Sequence, residues 1–169
     1  MTTTTAGTTG TTGRVPATGQ SGRSTRADDA VITAVHAALA AEHAAVYGYG
    51  VVGARAGQER RADARAAYEA HRARRDALAR TVRGLGADPV AAAPGYELPF
   101  ATEDPAAAVR LAALLEDRVA GVYSDLVRAA EGPLRREAAA ALREAAVRSA
   151  RWRGSGVAFP GLAERTGDR

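Results

Sequence analysis

One acid in the middle of a long apolar stripe constrains this chain more than any other feature. Taking every third or fourth residue gives Ile32, Val35, Leu39, Glu42, Val46, Tyr49, Gly53 and Ala56, a single face of one helix with Glu42 at its centre. A carboxylate on an inward face costs several kcal/mol or more unless it is paired, protonated or bound to a cation. The fold must therefore bring a partner to Glu42.

Partners are sought along the rest of the chain. Residues 1–27 are rich in Thr and Gly, with eight Thr in the first twelve positions, and read as a disordered tail. Asp28 or Asp29 is the expected cap of the first helix, which runs to about Ala56 with Gly57 as its stop. Gly48, Gly50 and Gly53 weaken that helix and suit the close approach of a neighbour. A second helix is expected from about Glu59 to Arg83, its inward line being Ala64, Ala67 or Tyr68, His71, Arg74 or Arg75, Leu78 and Val82.

Pro89, Pro94 and Pro99 then exclude a regular helix up to Asp104-Pro105, a stretch too long for a simple helix–helix turn. A capping Asp104 followed by Pro105 starts the third helix, which runs to about Glu131. Its inward line is Val109, Ala112, Glu116, Val119, Tyr123, Leu126 and Ala130, with a second acid at its centre. The fourth helix runs from about Leu134 to Arg153 and turns Leu134, Ala138, Ala141, Ala145, Arg148 and Trp152 inward. Val157 to Leu162 is apolar enough to pack back on the bundle, and residues 164–169 are expected to be a flexible tail.

Four helices joined short, long and short predict an all-α fold: a four-helix bundle of ferritin-like arrangement over residues 28–163, with a long crossover between helices two and three. Glu42, His71 and Glu116 each fall near the middle of their helices and are expected to meet at one level. Metals are held at that level in ferritin-like carboxylate proteins, by one Glu from each of two helices and Glu-x-x-His from the other two. Fe or Mn would suit Glu and His. Here Tyr68 stands three residues before His71, helix four has no His, and a di-metal site of about six ligands is not complete. Inward Arg74 or Arg75 and Arg148 offer guanidinium charge to Glu42 and Glu116 instead. Tyr47, Tyr49, Tyr68 and Tyr123 read mainly as apolar fill with hydroxyls in reach of the core acids. His36 and His43 fall off the inward line.

Composition narrows the function classes. The chain has no Cys, hence no disulfide, thiolate ligand or Cys nucleophile. Lys is absent, so all 23 strong bases are Arg against 19 acids, a net charge of +4. On helix two the arginines interleave with Glu59, Asp63, Glu69 and Asp76, a self-paired face, and nucleic-acid binding is not expected. No run of about 18 uninterrupted apolar residues occurs, so neither a membrane span nor any location but the cytoplasm is expected.

The stretch Ala41-Glu42-His43-Ala44-Ala45-Val46-Tyr47-Gly48-Tyr49 resembles the start of the actinobacterial ferritin-like family known as DUF4439. His71-Arg72-Ala73-Arg74-Arg75-Asp76, the segment Tyr96-Glu97-Leu98-Pro99-Phe100, Leu114-Leu115-Glu116 and Trp152-Arg153-Gly154 carry the resemblance onward. It implies a ferritin-like four-helix fold and a bacterial source, and it transfers no activity. Three functions remain open. One is a non-enzymatic domain with a degenerate, salt-bridged core, working by homodimerisation or with a protein partner through its helical faces. The second is a Fe- or Mn-binding, oxidase-like or iron-handling protein using Glu42, His71 and Glu116. The third, a polyanion binder on helix two, is the weakest. No catalytic residue and no resident cofactor are assigned.

Overall fold

The computed structural model describes residues 1–2 and 18–157. Four helices account for most of it: α1 (Thr18–Arg55), α2 (Gly57–Gly84), α3 (Pro105–Ala129) and α4 (Gly132–Arg153). No strand occurs among the described residues. The expectations for residues 3–17 and for the tail beyond Val157 fall outside the described residues.

α1 starts ten residues upstream of the expected Asp28 cap. Once a helix is nucleated, each added residue costs little, so Asp28 and Asp29 ride inside it rather than starting it. The Asp29 carbonyl already accepts from Thr33 Oγ1 four residues on, at 2.8 Å. At the other end Gly57, at φ 75°, lets the chain leave α1 and enter α2 with no intervening loop. That left-handed backbone is one most side chains resist. α3 opens as anticipated: Asp104 Oδ1 accepts from the Ala107 amide at 2.7 Å, and Pro105 occupies the first turn.

Two apolar cores form, one at each end of the bundle. The first gathers Val35, Leu39, Leu78, Val82, Val119, Leu126 and Ala141. The second gathers Val52, Ala64, Ala67, Ala108, Leu111, Leu115 and Trp152. On α2, α3 and α4 the inward residues between the two sets are polar, His71, Glu116 and Arg148 with Ser149, and Glu42 of α1 meets His71 there, so the acids lie in a layer between the cores. α1 packs on α2 and on α3, and α3 packs on α4. Tyr49 reaches Glu116 while Glu42 reaches Tyr123, so α1 and α3 run antiparallel.

Of the three glycines in α1 only Gly48 faces a close neighbour. A Cβ there would stand 2.5 Å from Leu115 Cδ1, whereas nothing lies within 4 Å of one at Gly50 or Gly53. Residues 85–104, free of helix, follow α1. His43 Nε2 contacts the Val90 carbonyl at 3.2 Å, and the rings of Tyr47 and Tyr96 lie 5.5 Å apart. The stretch Asp28–Arg55 of α1 is long and apolar enough to cross a membrane by length and composition alone. A count of uninterrupted apolar residues does not register this, because Thr33, His36, Glu42 and His43 divide the run. In the fold that same stretch supplies Val35, Leu39, Tyr49 and Val52 to the two cores.

Candidate functional site

Glu42, His71 and Glu116, each on a different helix, do meet, and all three are fully buried. The imidazole lies between the two carboxylates. Its Nδ1 is 2.6 Å from Glu42 Oε2, and its Nε2 is 3.2 Å from Glu116 Oε1. A neutral imidazole has only one N–H, so it would turn a lone pair toward one carboxylate. Protonation of both nitrogens satisfies both acids. Burial pulls the His71 imidazolium down, but hydrogen bonds and charge from Glu116 and Glu42 outweigh it, and the group is held above its ordinary value.

Each glutamate is also met by a tyrosine from the opposite helix. Tyr123 donates to Glu42 Oε1 at 2.7 Å, and Tyr49 donates to Glu116 Oε1 at 2.6 Å. Burial first, then the charge of the neighbouring glutamate, pushes both phenols far above their usual range, so they remain neutral donors. Each tyrosine stands seven residues after a glutamate on its own helix, Glu42 to Tyr49 and Glu116 to Tyr123. Seven residues is about two helical turns, so donor and acceptor share a face. Two antiparallel helices carrying the same pair then exchange hydrogen bonds.

α4 closes the layer. Arg148 Nε donates to Glu116 Oε1 at 2.6 Å. Burial alone would raise the Glu116 carboxyl, but His71 and then Arg148 outweigh it, and the group lies below the usual carboxylate range. Arg148 also lies 3.6 Å from Glu144 Oε2. With His71 as imidazolium and both glutamates ionised, the charges of Glu42, Glu116, His71 and Arg148 sum to zero. Three donors crowd one oxygen of Glu116, while its Oε2 is buried without a partner.

One expected pairing fails. Arg74 pairs with Glu144 and Arg75 with its neighbour Asp76, so neither reaches Glu42. The reason is position: both arginines are only half-buried at the margin of α2, where exposed acids are nearer and desolvation is avoided. Glu42 takes His71 and Tyr123 instead. On α2 the self-paired face is present as Arg60–Asp63 and Arg72–Glu69. Sequence reading also passed over Ser149, whose Oγ donates to Asp117 Oδ1 at 2.6 Å; Arg153 pairs with the same carboxylate.

The layer holds no nucleophile. A single imidazole with both nitrogens turned to carboxylates leaves no lone pair converging with theirs. Among the described residues, no group of three or more His, Cys, Asp and Glu side chains is placed to hold a metal ion. What the arrangement does chemically is share protons and charge among buried partners, with Tyr49 stacked on His71 at 5.1 Å between ring centroids and 25° between planes.

Comparison with known proteins adds little to activity and much to kinship. No curated protein matches the chain. A solved structure titled as a conserved hypothetical protein from Mycobacterium tuberculosis is 36% identical, with a TM-score of 0.73, covering 75% of this chain and 96% of that one. Residues 34–164, a span that takes in the whole polar layer, match the family described as a domain of unknown function; the chain belongs to that family, DUF4439.

Proposed function

We propose that this is a ferritin-like domain in which protein cations stand where that architecture elsewhere holds metal, and that it works as a non-catalytic binding or association module. The topology supports the first half. His71 meets Glu116, while Leu78 and Thr81 border one groove with Tyr123 and Leu126. On this reading α2 and α3 run in the same direction, and residues 85–104 return along α1 as the crossover. The exchanged Glu and Tyr pairs relate the half α1–α2 to the half α3–α4, with His71 and Arg148 in corresponding places.

The observation that carries the functional half is the imidazole of His71, held between Glu42 and Glu116 with Arg148 behind. The layer is balanced by its own charges. A second reading, Fe or Mn bound by Glu42, His71 and Glu116, draws on Glu116 Oε2, a buried carboxylate oxygen with no donor. It requires His71 to release one of its two carboxylates.

Elemental analysis decides between them. The protein is loaded anaerobically with Fe(II) or Mn(II), desalted, and compared with the Glu42→Ala/Glu116→Ala variant. Metal retained well below one equivalent and unchanged in the variant is the expected result. Near-stoichiometric metal that the variant loses would replace the first reading with the second. Association is read by analytical ultracentrifugation, and a strictly monomeric chain that captures no ligand would count against a binding module.

A further inference from the structure

Between α2 and α4 lies a groove of about 400 Å³. That is within the size range of small-molecule sites. Its cationic wall is Arg60, Arg143, Arg148 and Arg151, against two acids, Asp63 and Glu144, so the lining carries an excess of two positive charges. Its apolar wall is Ala66, Ala67, Val147 and Trp152.

The guanidinium groups are not used up by the protein. Arg148 spends Nε on Glu116, and its Nη2 is buried without an acceptor. Arg60 Nε lies 3.4 Å from Asp63 Oδ2, in ion-pair range, but makes no hydrogen bond. Among the described residues Arg143 and Arg151 pair with no carboxylate. The Arg60 guanidinium lies over the Trp152 ring, 4.2 Å from its centroid, which joins the cationic wall to the aromatic one. Buried donors without acceptors are costly, and a carboxylate or phosphate that accepts two parallel N–H bonds offsets that cost.

From these features we infer that the α2–α4 groove is a binding site for a small organic anion. Its carboxylate or phosphate head meets the arginines, and its apolar body lies against Val147 and Trp152. The inference goes beyond the reading of the core and does not depend on whether metal binds there. Arg148 links the two places, because it touches both Glu116 and the groove.

Trp152 is the chain's one tryptophan. Its fluorescence therefore comes from the wall that the groove shares with the second core, and the uncharged alcohol controls for changes in that core. The purified full chain is titrated with phenylacetate, phenyl phosphate and the uncharged 2-phenylethanol, alongside an Arg143→Gln/Arg151→Gln variant whose changes fall on exposed positions. A saturable emission change with either anion, absent with the alcohol, is expected; the affinity should fall about tenfold or more in the variant, as for a lost charge-assisted contact. The preferred anion tells a carboxylate site from a phosphate site. No saturable change with either anion up to millimolar concentrations, an equal response to the alcohol, or an affinity the variant leaves unchanged would overturn the inference. The elemental analysis reads the core alone, so the two ideas fail separately.

Discussion

Tyr49 donates to Glu116 at 2.6 Å while standing seven residues after Glu42, the acid it does not touch. Tyr123 repeats the relationship in reverse. The acids of α1 and α3 are thus held by each other's tyrosines, and the two helices cannot slide past one another without breaking both bonds. Tyr49→Phe and Tyr123→Phe should each destabilise the fold by about 1.5–3 kcal/mol, the range for hydrogen bonds to a charged group. Urea titration followed by far-UV circular dichroism measures this. A loss below about 0.5 kcal/mol, typical of surface changes, would mean that the hydroxyls contribute only bulk.

The polar layer gives stability a pH window. The raised value of His71 adds stability that is complete below about pH 6.5, its unfolded value, and is lost as the pH climbs through the folded value. The lowered value of Glu116 adds stability that is complete above about pH 4.5, its unfolded value, and is lost as the pH falls through its own folded value. Thermal melts across pH should therefore peak between these limits and decline toward alkaline pH. His71→Gln should flatten the alkaline side. An unchanged alkaline slope in that variant would show that another group causes the decline.

Removing one member of the layer leaves its partner buried and charged. His71→Ala should cost about 3–5 kcal/mol, the scale for breaking a buried pair from one side. Arg148→Ala should cost less, because Arg148 is partly exposed and water can replace it. Equal losses in the two variants, by chemical denaturation, would contradict the central place given to His71.

Gly48 and Gly53 should respond oppositely to alanine. At Gly53 the new methyl meets nothing within 4 Å, and Gly53→Ala should stabilise by about 0.5–1 kcal/mol through helix propensity. At Gly48 the methyl falls 2.5 Å from Leu115 Cδ1 and 3.3 Å from its Cγ, so the whole Leu115 side chain must move. Overpacking of this kind costs about 1–3 kcal/mol, more than the propensity gain. Melting temperatures of the two variants on opposite sides of wild type would bear this out, and a stabilised Gly48→Ala would refute it.

The helices and the three core polar residues were legible because apolar spacing and a mid-helix charge are both local signals. Glu42, His71 and Glu116 each interrupt an apolar line, and a line is visible in one dimension. Asp104-Pro105 was legible for the same reason: the cap and the residue it serves are three apart. The partner of each acid was not, since it depends on which rotamer reaches across from another helix. Arg74 was expected on Glu42 and instead found Glu144 on α4. Tyr49 and Tyr123 were read chiefly as fill, although the shared seven-residue spacing from a glutamate on two helices was a usable signal. The early start of α1 escaped because a residue such as Asp28 that can cap a helix is also tolerated inside one.

The neutrality of the layer also limits how such a core can change over time. Replacing any one of Glu42, His71 or Glu116 by an uncharged residue leaves its partners buried in a medium that screens charge poorly, whereas water can stand in for part of Arg148. A path toward an all-apolar interior must therefore exchange these residues in opposite-sign pairs, or pass through a form that barely folds. The four side chains amount to one unit, assembled from four separate helices and divisible only at a cost to the whole chain.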